Sequence, residues 1–328
     1  MIEASILIPT YNRRDNLERL FESIRKQSFT AFEVIVSDGG SNDGTGELCQ
    51  KYNQFFRTVF VLQDKTGFVN AVNCAINSAK GDIAIRIDDD VVLTEDWLKN
   101  LMAVFRENPD VGCATGPVIT PGEAMINRDV FLFQDEFKKG NWFWRLIGKF
   151  YNDFLCEGQF MAIGKDFKSG AISFGANFPD SLKLDKIIEV DHPESCNMAF
   201  KRELSQRVGN FDECYTETSE YSDTDLAYRM RRLGYKTVFS PRAVLYHYPS
   251  KKGFYSMRLD PYHRVINFIR FYRRNIKADS LDKMIRFLAY LLFFNGYFFY
   301  NFLKMKDPKQ LKSFPATVVG LTKPLKFL

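Results

Sequence analysis

Paired cysteines are missing from this sequence. Its six cysteines are scattered, with no Cys-x-x-Cys pair and no spacing typical of a zinc site. This excludes a disulfide scaffold and a structural zinc domain, and we expect reduced core cysteines in a cytosolic protein. A secretory or transit peptide is also not expected, because residues 1–3 lead directly into an apolar strand.

An uninterrupted apolar run of membrane-spanning length is lacking as well. Residues 284–303 come closest, but Arg286, Asn295, Gly296 and Asn301 interrupt them. A spanning helix needs about 20 mostly apolar residues. The stretch instead favours a helix lying in the membrane interface, with Phe and Tyr towards the lipid and basic side chains at the headgroups. A helix packed on the rest of the protein is the alternative.

A strong net charge is absent too, but the charge is unevenly distributed. The net charge is +5, yet residues 251–328 contain sixteen Lys and Arg against four Asp. Such asymmetry indicates an anionic partner, either a membrane or a nucleic acid. Because the segment is also apolar, we expect an anionic membrane surface and no nucleic acid.

Apolar strands alternate with amphipathic helices in the first third of the chain. The pattern predicts strands at 5–8, 32–36, 58–62 and 83–87, with helices at 15–26, 69–79 and 95–107. Continuous apolar strands separated by helices imply an α/β fold, a mostly parallel sheet with helices on both faces. Ligands of such sheets bind at the carboxyl ends of the strands, where Asn12, Asp38 and the acidic residues after 87 are expected.

Three consecutive carboxylates, Asp88, Asp89 and Asp90, follow the strand at 83–87. Like charges this close raise one another's pKa unless a cation lies among them. A hard divalent ion such as Mg²⁺ or Mn²⁺ is the usual solution, held by carboxylates and by substrate phosphate oxygens. The triplet therefore predicts a divalent metal site, with a solvated acidic turn as the alternative.

Several motifs together resemble those of a family 2 glycosyltransferase of the GT-A fold. They are PTYN at 9–12, DGGSNDGT at 38–45, Gly67 and Asn73 ahead of AKGD at 79–82, and the acidic triplet. The resemblance covers roughly the first 250 residues and implies a Rossmann-like sheet. It divides the chain into a nucleotide-sugar half at about 1–118, an acceptor half at about 119–250 and a helical, membrane-associating extension at 251–328.

The resemblance also implies where a nucleotide-diphospho-sugar and its metal bind. The residues implied for the donor are Pro9, Tyr11, Asn12, Asp38, Gly67, Asn73, Asp88 and Asp89. Those implied for the metal are Asp88, Asp90 and His247. Turn formation is the alternative role for Asp38 and Asp43, and a packed, hydrogen-bonded role is the alternative for His247. Gly39 stands where many relatives carry a second acidic residue.

A second acidic motif, EYSDTDLAYR at 220–229, runs into a predicted helix. By resemblance Asp223 is the general base, and Ser222 replaces a Glu that relatives carry. Asp225 is expected to cap the start of the helix, where carboxylates are favoured. A single carboxylate facing the leaving group implies one in-line displacement and inversion at the anomeric carbon.

The middle of the chain gives a weaker pattern. The aromatic cluster NWFWRLI at 141–147 is expected to pack mostly in the core, because Trp and Phe are largely buried on average. Contacts with sugar rings or lipid headgroups are the alternative. The segment SCNMAFKR at 195–202 resembles the family segment before a short helix, although Ser195 lies where relatives usually have a Gly nearby.

These features predict an inverting, metal-dependent enzyme that moves one sugar from a nucleotide-diphospho-sugar to a hydroxyl of a glycan or lipid-linked glycan. A UDP-sugar is the first choice for this donor. The enzyme would be cytoplasmic and peripherally associated with the inner face of the cell membrane. The Gln-x-x-Arg-Trp motif and the several spanning helices of processive synthases are not found in the sequence. The alternatives are a nucleotidyltransferase on a similar sheet and a catalytically inactive membrane-binding protein.

Overall fold

The computed structural model describes residues 2–121, 140–217, 219–249 and 260–324. The predicted boundary at 250/251, the first residues of the basic extension and residues 122–139 of the acceptor half lie outside the described residues.

A mixed eight-stranded sheet forms the centre of the fold. Its strands are β1 (Ala4–Thr10), β2 (Phe32–Asp38), β3 (Thr58–Leu62), β4 (Ile83–Ile87), β6 (Val111–Thr115), β8 (Ile188–Glu189), β9 (Asn197–Lys201) and β10 (Lys236–Phe239). They are arranged in the order β3-β2-β1-β4-β9-β6-β10-β8. A second sheet contains β5 (Val91–Leu93), β7 (Val118–Ile119) and β11 (Leu245–His247), with β11 in the middle.

Most strand pairs of the large sheet are parallel. Strand β1 pairs in parallel with β2 and β4, β2 pairs in parallel with β3, and β6 pairs in parallel with β10. Strand β9 runs antiparallel between β4 and β6, and β8 runs antiparallel to β10. The mostly parallel sheet predicted from the sequence is confirmed.

Helices lie between and after these strands. They are α1 (Arg14–Ile24), α2 (Thr45–Tyr52), α3 (Phe68–Ser78), α4 (Trp97–Glu107), α5 (Trp142–Phe150), α6 (Arg202–Arg207), α7 (Ser222–Arg231), α8 (Pro261–Phe271), α9 (Leu281–Met305) and α10 (Ser313–Thr322). A π-helical turn at Tyr151–Leu155 continues α5, and another at Tyr272–Ile276 continues α8. Short 3₁₀ helices are found at Gly175–Asn177, Pro179–Lys183 and Pro308–Lys312.

Both faces of the large sheet are covered. Along β1, Ile6 and Ile8 pack in the cluster formed with α1, α2 and α4, whereas Leu7 packs in the cluster formed with α3 and α7. Successive strand residues point to opposite faces, so a strand buried on both faces is apolar throughout. This explains the continuous apolar runs in the sequence.

The topology fixes what lies at the carboxyl edge of the sheet. Ile87, at the end of β4, is paired with Asn197 at the start of β9, and Thr115, at the end of β6, is paired with Met198. Because β9 runs opposite to both neighbours, the residues that precede Asn197 reach the same edge as the acidic triplet after Ile87.

The C-terminal helices α8 and α9 share a core with segments from the middle of the chain. Phe268 of α8 contacts the rings of Tyr221, Phe287 and Tyr290, and this cluster also includes Tyr151 and other residues that follow α5. One face of the predicted interfacial helix is therefore packed on the protein. None of the described helices is both long and apolar enough to cross a membrane.

The prediction that residues 141–147 pack mostly in the core is wrong. These residues form the start of α5, in which Trp142 is 76 % exposed, while Phe143 and Leu146 are exposed too. Gly148 is the buried residue of this helix. The prediction relied on the average burial of Trp and Phe, which does not apply to α5 because only one side of this helix packs on the protein.

Candidate functional site

The acidic triplet lies in the turn that leaves β4. Asp89 and Asp90 are buried, whereas the side chain of Asp88 is 21 % exposed. The solvated acidic turn that was the alternative is therefore not what the structure contains. Two buried neighbouring carboxylates require cationic partners, because desolvation and mutual repulsion both disfavour their ionised forms.

Arg13 supplies one of those partners. Its Nη1 atom lies 2.8 Å from Oδ1 of Asp89 and 3.2 Å from Oδ2 of Asp90, and the hydroxyl of Thr10 donates to Asp89 at 2.7 Å. Burial raises the pKa of Asp89 to about 6, and Arg13 opposes this shift. The loop after β1 is thereby tied to the turn after β4.

Arg86, which lies within β4, is the partner of the remaining carboxylate, Asp88. Its Nη2 atom donates to Oδ1 of Asp88 at 2.5 Å, and its Nη1 atom donates to the hydroxyl of Ser195 at 2.5 Å. The guanidinium also lies over the ring of Phe68, with 4.5 Å to the ring centroid. Sequence reasoning did not assign a role to this arginine, although a charged residue inside an apolar strand was the available signal.

His247 reaches the same turn from the end of β11. Its Nε2 atom lies 2.9 Å from Oδ1 of Asp90 and 4.0 Å from Oδ2 of Asp88. Its Nδ1 atom lies 3.8 Å from the sulfur of Cys196. The three residues predicted for the metal, Asp88, Asp90 and His247, are thus brought together by the fold.

These side chains fit a divalent cation. One ligand atom each from Asp88, Cys196 and His247 lie within 4.8 Å of one another, and a cation can replace the imidazole proton that now faces the carboxylates. Carboxylate suits both Mn²⁺ and Mg²⁺, and imidazole suits Mn²⁺ less than carboxylate does. The thiol of Cys196 suits them less, because burial raises its pKa and keeps it protonated. Asp88 and His247 are therefore candidate ligands, and so is Asp90, whose Oδ1 atom lies 2.9 Å from the same Nε2 atom of His247.

The loops predicted for the nucleotide are joined by hydrogen bonds between side chains and backbone. Asp38 accepts from the backbone N–H groups of Gly40 and Ser41 at 3.0 and 2.7 Å, and from the hydroxyl of Ser41 at 2.5 Å. Asn12 accepts from the N–H of Asn42 at 3.0 Å. Asp38 therefore shapes its own loop, which corresponds to the turn-forming alternative.

Tyr11 explains the glycine that departs from the family pattern. A Cβ atom added to Gly39 would lie 3.3 Å from Cδ2 of Tyr11, so a larger residue there would press on the ring. Tyr11 is exposed beside the end of β1, and Pro9 is half-buried within that strand. An exposed aromatic ring at this edge offers a face on which a nucleotide base can stack.

Gly67 and Asn73 lie at the start and in the middle of α3. Gly67 has a φ of 130°, which favours glycine. The amide of Asn73 donates to the backbone oxygen of Phe211 at 2.8 Å and accepts from its N–H at 3.1 Å. Asn73 therefore holds the segment that leads to α7.

Asp223 lies in the first turn of α7 and is 9 % exposed. Its Oδ1 atom accepts from the N–H of Thr224 at 2.9 Å. Tyr221, the residue immediately before α7, has a φ of 70°, which is uncommon for a bulky residue. Strained backbone of this kind occurs often at functional sites.

Asp225 has a different role from the one predicted. It does not cap α7 but accepts from Arg229 and Asn275, each at 2.8 Å, and its Oδ2 atom lies 3.5 Å from Arg274. This fully buried carboxylate therefore joins α7 to the residues after α8. The capping prediction failed because its partners are distant in sequence.

Sequence reasoning missed a buried pair formed by His192 and Asp166. Nδ1 of His192 lies 2.7 Å from Oδ1 of Asp166. Burial lowers the pKa of His192, but the carboxylates of Asp166, Glu194 and Asp223 outweigh this effect and raise it to about 9. Burial, and then the charge of Asp223, raise the pKa of Glu194. Asp223 is thus electrostatically coupled to His192 and Glu194.

Residues 192–196 link the two halves of the candidate site. At one end His192 and Glu194 interact with Asp223. At the other end Ser195 binds Arg86, and Cys196 lies with Asp88 and His247. The charge of Asp223 therefore acts on the start of the same five-residue segment whose last residue, Cys196, lies with Asp88 and His247.

Comparison with known proteins gives a consistent result. Residues 5–166 match the family described as Glycosyl transferase family 2. The poly-beta-1,6-N-acetyl-D-glucosamine synthase of Staphylococcus aureus is 29 % identical over 113 residues, which are 34 % of this chain and 27 % of that protein. Among the first curated relatives, the matched regions span 14 to 35 % of the relatives' own length.

Two solved structures share the fold over nearly the whole chain. Residues 1–349 of TarS from S. aureus, in complex with UDP-GlcNAc, give a TM-score of 0.61 at 18 % identity, covering 98 % of this chain and 80 % of that one. The mannosyltransferase PcManGT from Pyrobaculum calidifontis, in complex with GDP-Man and Mn²⁺, gives 0.55 at 18 % identity, covering 98 and 76 %. The GT-A fold inferred from the sequence is confirmed.

Proposed function

Because residues 5–166 make this chain a member of glycosyl transferase family 2, we propose that it transfers one sugar from a nucleotide-diphospho-sugar to a hydroxyl group of a glycan or lipid-linked glycan. The transfer inverts the anomeric configuration and depends on a divalent metal. The observation that carries this proposal is that Asp88, Asp90 and His247 lie together in the turn after β4, at the edge of the sheet where ligands of such folds bind.

The donor occupies the carboxyl edge of the sheet. Tyr11 supports the base, the loop shaped by Asp38 contacts the ribose side, and Asp88 faces the diphosphate. TarS binds UDP-GlcNAc and PcManGT binds GDP-Man, which supports a nucleotide-sugar donor here, and we propose UDP as its nucleotide. Pro9, Asn12, Gly67 and Asn73 remain proposed contacts of the donor, and Asn12 and Asn73 also form hydrogen bonds to neighbouring loops.

The leaving group needs charge stabilisation. As the bond from the anomeric carbon to the diphosphate breaks, negative charge develops on the phosphate oxygens. When bound by Asp88 and His247, Mn²⁺ or Mg²⁺ supplies Lewis-acid stabilisation of that charge. The Mn²⁺ in the PcManGT complex is a property of that protein, and it supports the same choice here.

The acceptor hydroxyl needs a general base. A carboxylate within hydrogen-bond reach of the hydroxyl takes its proton as the oxygen attacks the anomeric carbon. We assign this role to Asp223, the carboxylate in the first turn of α7 that the family resemblance implies as the base, which is 9 % exposed.

We propose that the acceptor is associated with the membrane and that residues 251–328 bind the anionic inner face of the bilayer. The basic and apolar composition of this segment supports the proposal. The similarity to a poly-beta-1,6-N-acetyl-D-glucosamine synthase of S. aureus supports a role in polysaccharide assembly, and we propose that the product is a cell-surface polysaccharide or glycoconjugate.

A nucleotidyltransferase would need free basic residues around a triphosphate. The basic residues after β1 are engaged instead: Arg13 pairs with Asp89 and Asp90, and Arg14 pairs with Asp15 and Glu18. This disfavours that alternative. Retention of the acidic triplet, His247 and Asp223 in one region disfavours an inactive membrane-binding protein.

A donor screen followed by product analysis tests the proposal. Nucleotide-sugars with Mn²⁺ are first screened for a rise in melting temperature, since a ligand of the folded state raises it. Turnover of the stabilising donor is then expected to release a nucleoside diphosphate. Release of pyrophosphate from a nucleoside triphosphate would identify a nucleotidyltransferase, and no turnover of any donor would favour the inactive protein.

A further inference from the structure

The outer side of α9 carries large apolar side chains that remain exposed in the described structure. Ile285, Leu288, Leu292, Phe299 and Leu303 are all exposed, Leu292 to 76 %. Their spacing of three, four, seven and four residues places them along one side of the helix. With 25 residues, α9 is about 37 Å long.

The inner side of α9 is apolar as well. Phe287, Tyr290, Leu291 and Phe298 are buried in the aromatic core shared with α8. A helix that is hydrophobic on all sides belongs in the interior of a protein or in contact with lipid. Since the inner side already has its protein partner, the outer side needs another one.

Helix α5 extends this surface. The ring centroids of Trp144 and Tyr300 are 5.1 Å apart, and those of Tyr151 and Phe293 are 4.8 Å apart, so α5 and the turn after it run alongside α9 in the opposite direction. On α5, Trp142 and Leu146 are exposed. Monomeric proteins rarely expose apolar patches larger than a few hundred square ångströms unless the patches bind something.

Basic residues surround one end of the exposed apolar surface. Lys304, Lys306 and Lys309 are exposed at the C-terminal end of α9 and just beyond it, and within the described residues none of them forms an ion pair. Two copies of this face would bring like charges together, whereas an anionic lipid surface would complement them.

We infer that the outer side of α9, together with the exposed rings of α5 and these three lysines, docks the protein flat on an anionic bilayer. Helix α9 then lies along the headgroup region, its inner side on the protein and its outer side in the acyl boundary. This inference rests on the proposed membrane association and deepens it, because the acceptor half, through α5, faces the lipid too.

Sedimentation with vesicles tests the apolar part of the surface. The full chain is mixed with vesicles of phosphatidylcholine containing phosphatidylglycerol, or of phosphatidylcholine alone. We expect binding to the anionic vesicles, and Leu288→Glu with Leu292→Glu to weaken it about tenfold or more, because apolar burial is lost and charge is placed in the lipid. Leu233→Glu, at an exposed leucine beyond α7, is the control and should bind like the wild type.

A second set of variants tests the charged part. Replacing Lys304, Lys306 and Lys309 with Gln is expected to weaken binding to anionic vesicles on the order of a hundredfold, at about fivefold per lysine. The same change at the exposed Lys80, Lys183 and Lys186 is the control. Point variants are preferred to deletion of the extension, because deletion would remove α8 and α9 and expose the aromatic core around Tyr151 to water.

Three results would overturn the inference. They are no binding to anionic vesicles, equal binding by the α9 variants and the wild type, and a dimer in light scattering that the α9 variants dissociate. The last result would assign the surface to a second copy of the chain. Failure of the transferase proposal is distinguishable, because a chain that binds vesicles through α9 but releases no nucleoside diphosphate contradicts that proposal alone.

Discussion

Nη1 of Arg13 lies 2.8 Å from Oδ1 of Asp89, and both side chains are largely shielded from water. The arginine comes from the loop after the first strand, and the aspartate comes from the turn after the fourth. One buried ion pair thus joins the loop beside the proposed base-binding residue Tyr11 to the turn that holds the proposed metal ligand Asp88.

Removing the cation of this pair is expected to destabilise the fold. Arg13→Met leaves a buried carboxylate without its charged partner, which costs about 3–5 kcal/mol of unfolding free energy. Arg14→Met is the matched control, because Arg14 forms ion pairs at the surface worth about 1 kcal/mol or less. Urea denaturation measures both. Equal losses for the two variants would show that the pair with Asp89 is not a stabilising contact.

Substitution of Asn73 tests whether this residue positions the segment at Phe211 or binds the donor. Asn73→Ala removes both hydrogen bonds to Phe211 and is expected to lower the unfolding free energy by about 1–3 kcal/mol, while the Kd for the donor changes little. Asn70→Ala, at the surface of the same helix, is the control for stability. A large rise in the Kd for the donor with unchanged stability would instead support the nucleotide-sugar contact predicted from the sequence.

The pair of His192 and Asp166 predicts a pH dependence of stability. The pKa of His192 is raised from 6.5 to about 9 in the folded protein, so its contribution is fully present below pH 6.5 and is lost as the pH rises through 9. The unfolding free energy is expected to fall by up to about 3 kcal/mol across this range.

The control for this prediction is His192→Gln, which has no imidazole to titrate. Denaturant unfolding at pH 6.5 and 9.5 should show a smaller fall for the variant than for the wild type. The charged groups that face His192 are Asp166, Glu194 and Asp223. Parallel pH profiles for the two proteins would mean that His192 is not held as a cation in the fold.

Metal binding is the fourth prediction. EDTA should stop turnover, and Mn²⁺ or Mg²⁺ should restore it. His247→Ala should weaken Mn²⁺ binding about tenfold or more in a titration with the metal alone, since loss of even an orienting partner of a ligand costs 10–100-fold. His263→Ala, which removes the histidine that contacts Thr216, should bind Mn²⁺ as the wild type does. Turnover that is indifferent to EDTA would rule out the metal role.

The fold was readable from the sequence because its strands are buried on both faces. Continuous apolar runs such as IAIRI at 83–87 differ from the helices, whose apolar residues recur every three or four positions. The alternation of such runs with helices along the chain implies a parallel sheet. Helix α2 was not predicted, since it is short and has a Gly at its second position. The exposed face of α5 was not predicted either, because residue type alone does not tell which side of a helix the protein covers.

The candidate site was readable only in part. Carboxylates at strand ends could be brought to one edge by the rule for parallel sheets. The partners of those carboxylates could not, since Arg13 and Asp89 are 76 residues apart and Asp225 binds Asn275 across 50 residues. Such contacts depend on tertiary packing, which local patterns do not encode.

The assignment of Asp223 as general base is the central claim, and Asp223→Asn tests it most directly. Calorimetric titration of the donor with Mn²⁺ and a transfer assay are run on the same protein. Asn cannot take the hydroxyl proton, so transfer should fall by about 10²-fold or more, with the Kd for the donor nearly unchanged. Transfer at the wild-type rate, or a loss of donor binding equal to the loss of transfer, would contradict the account.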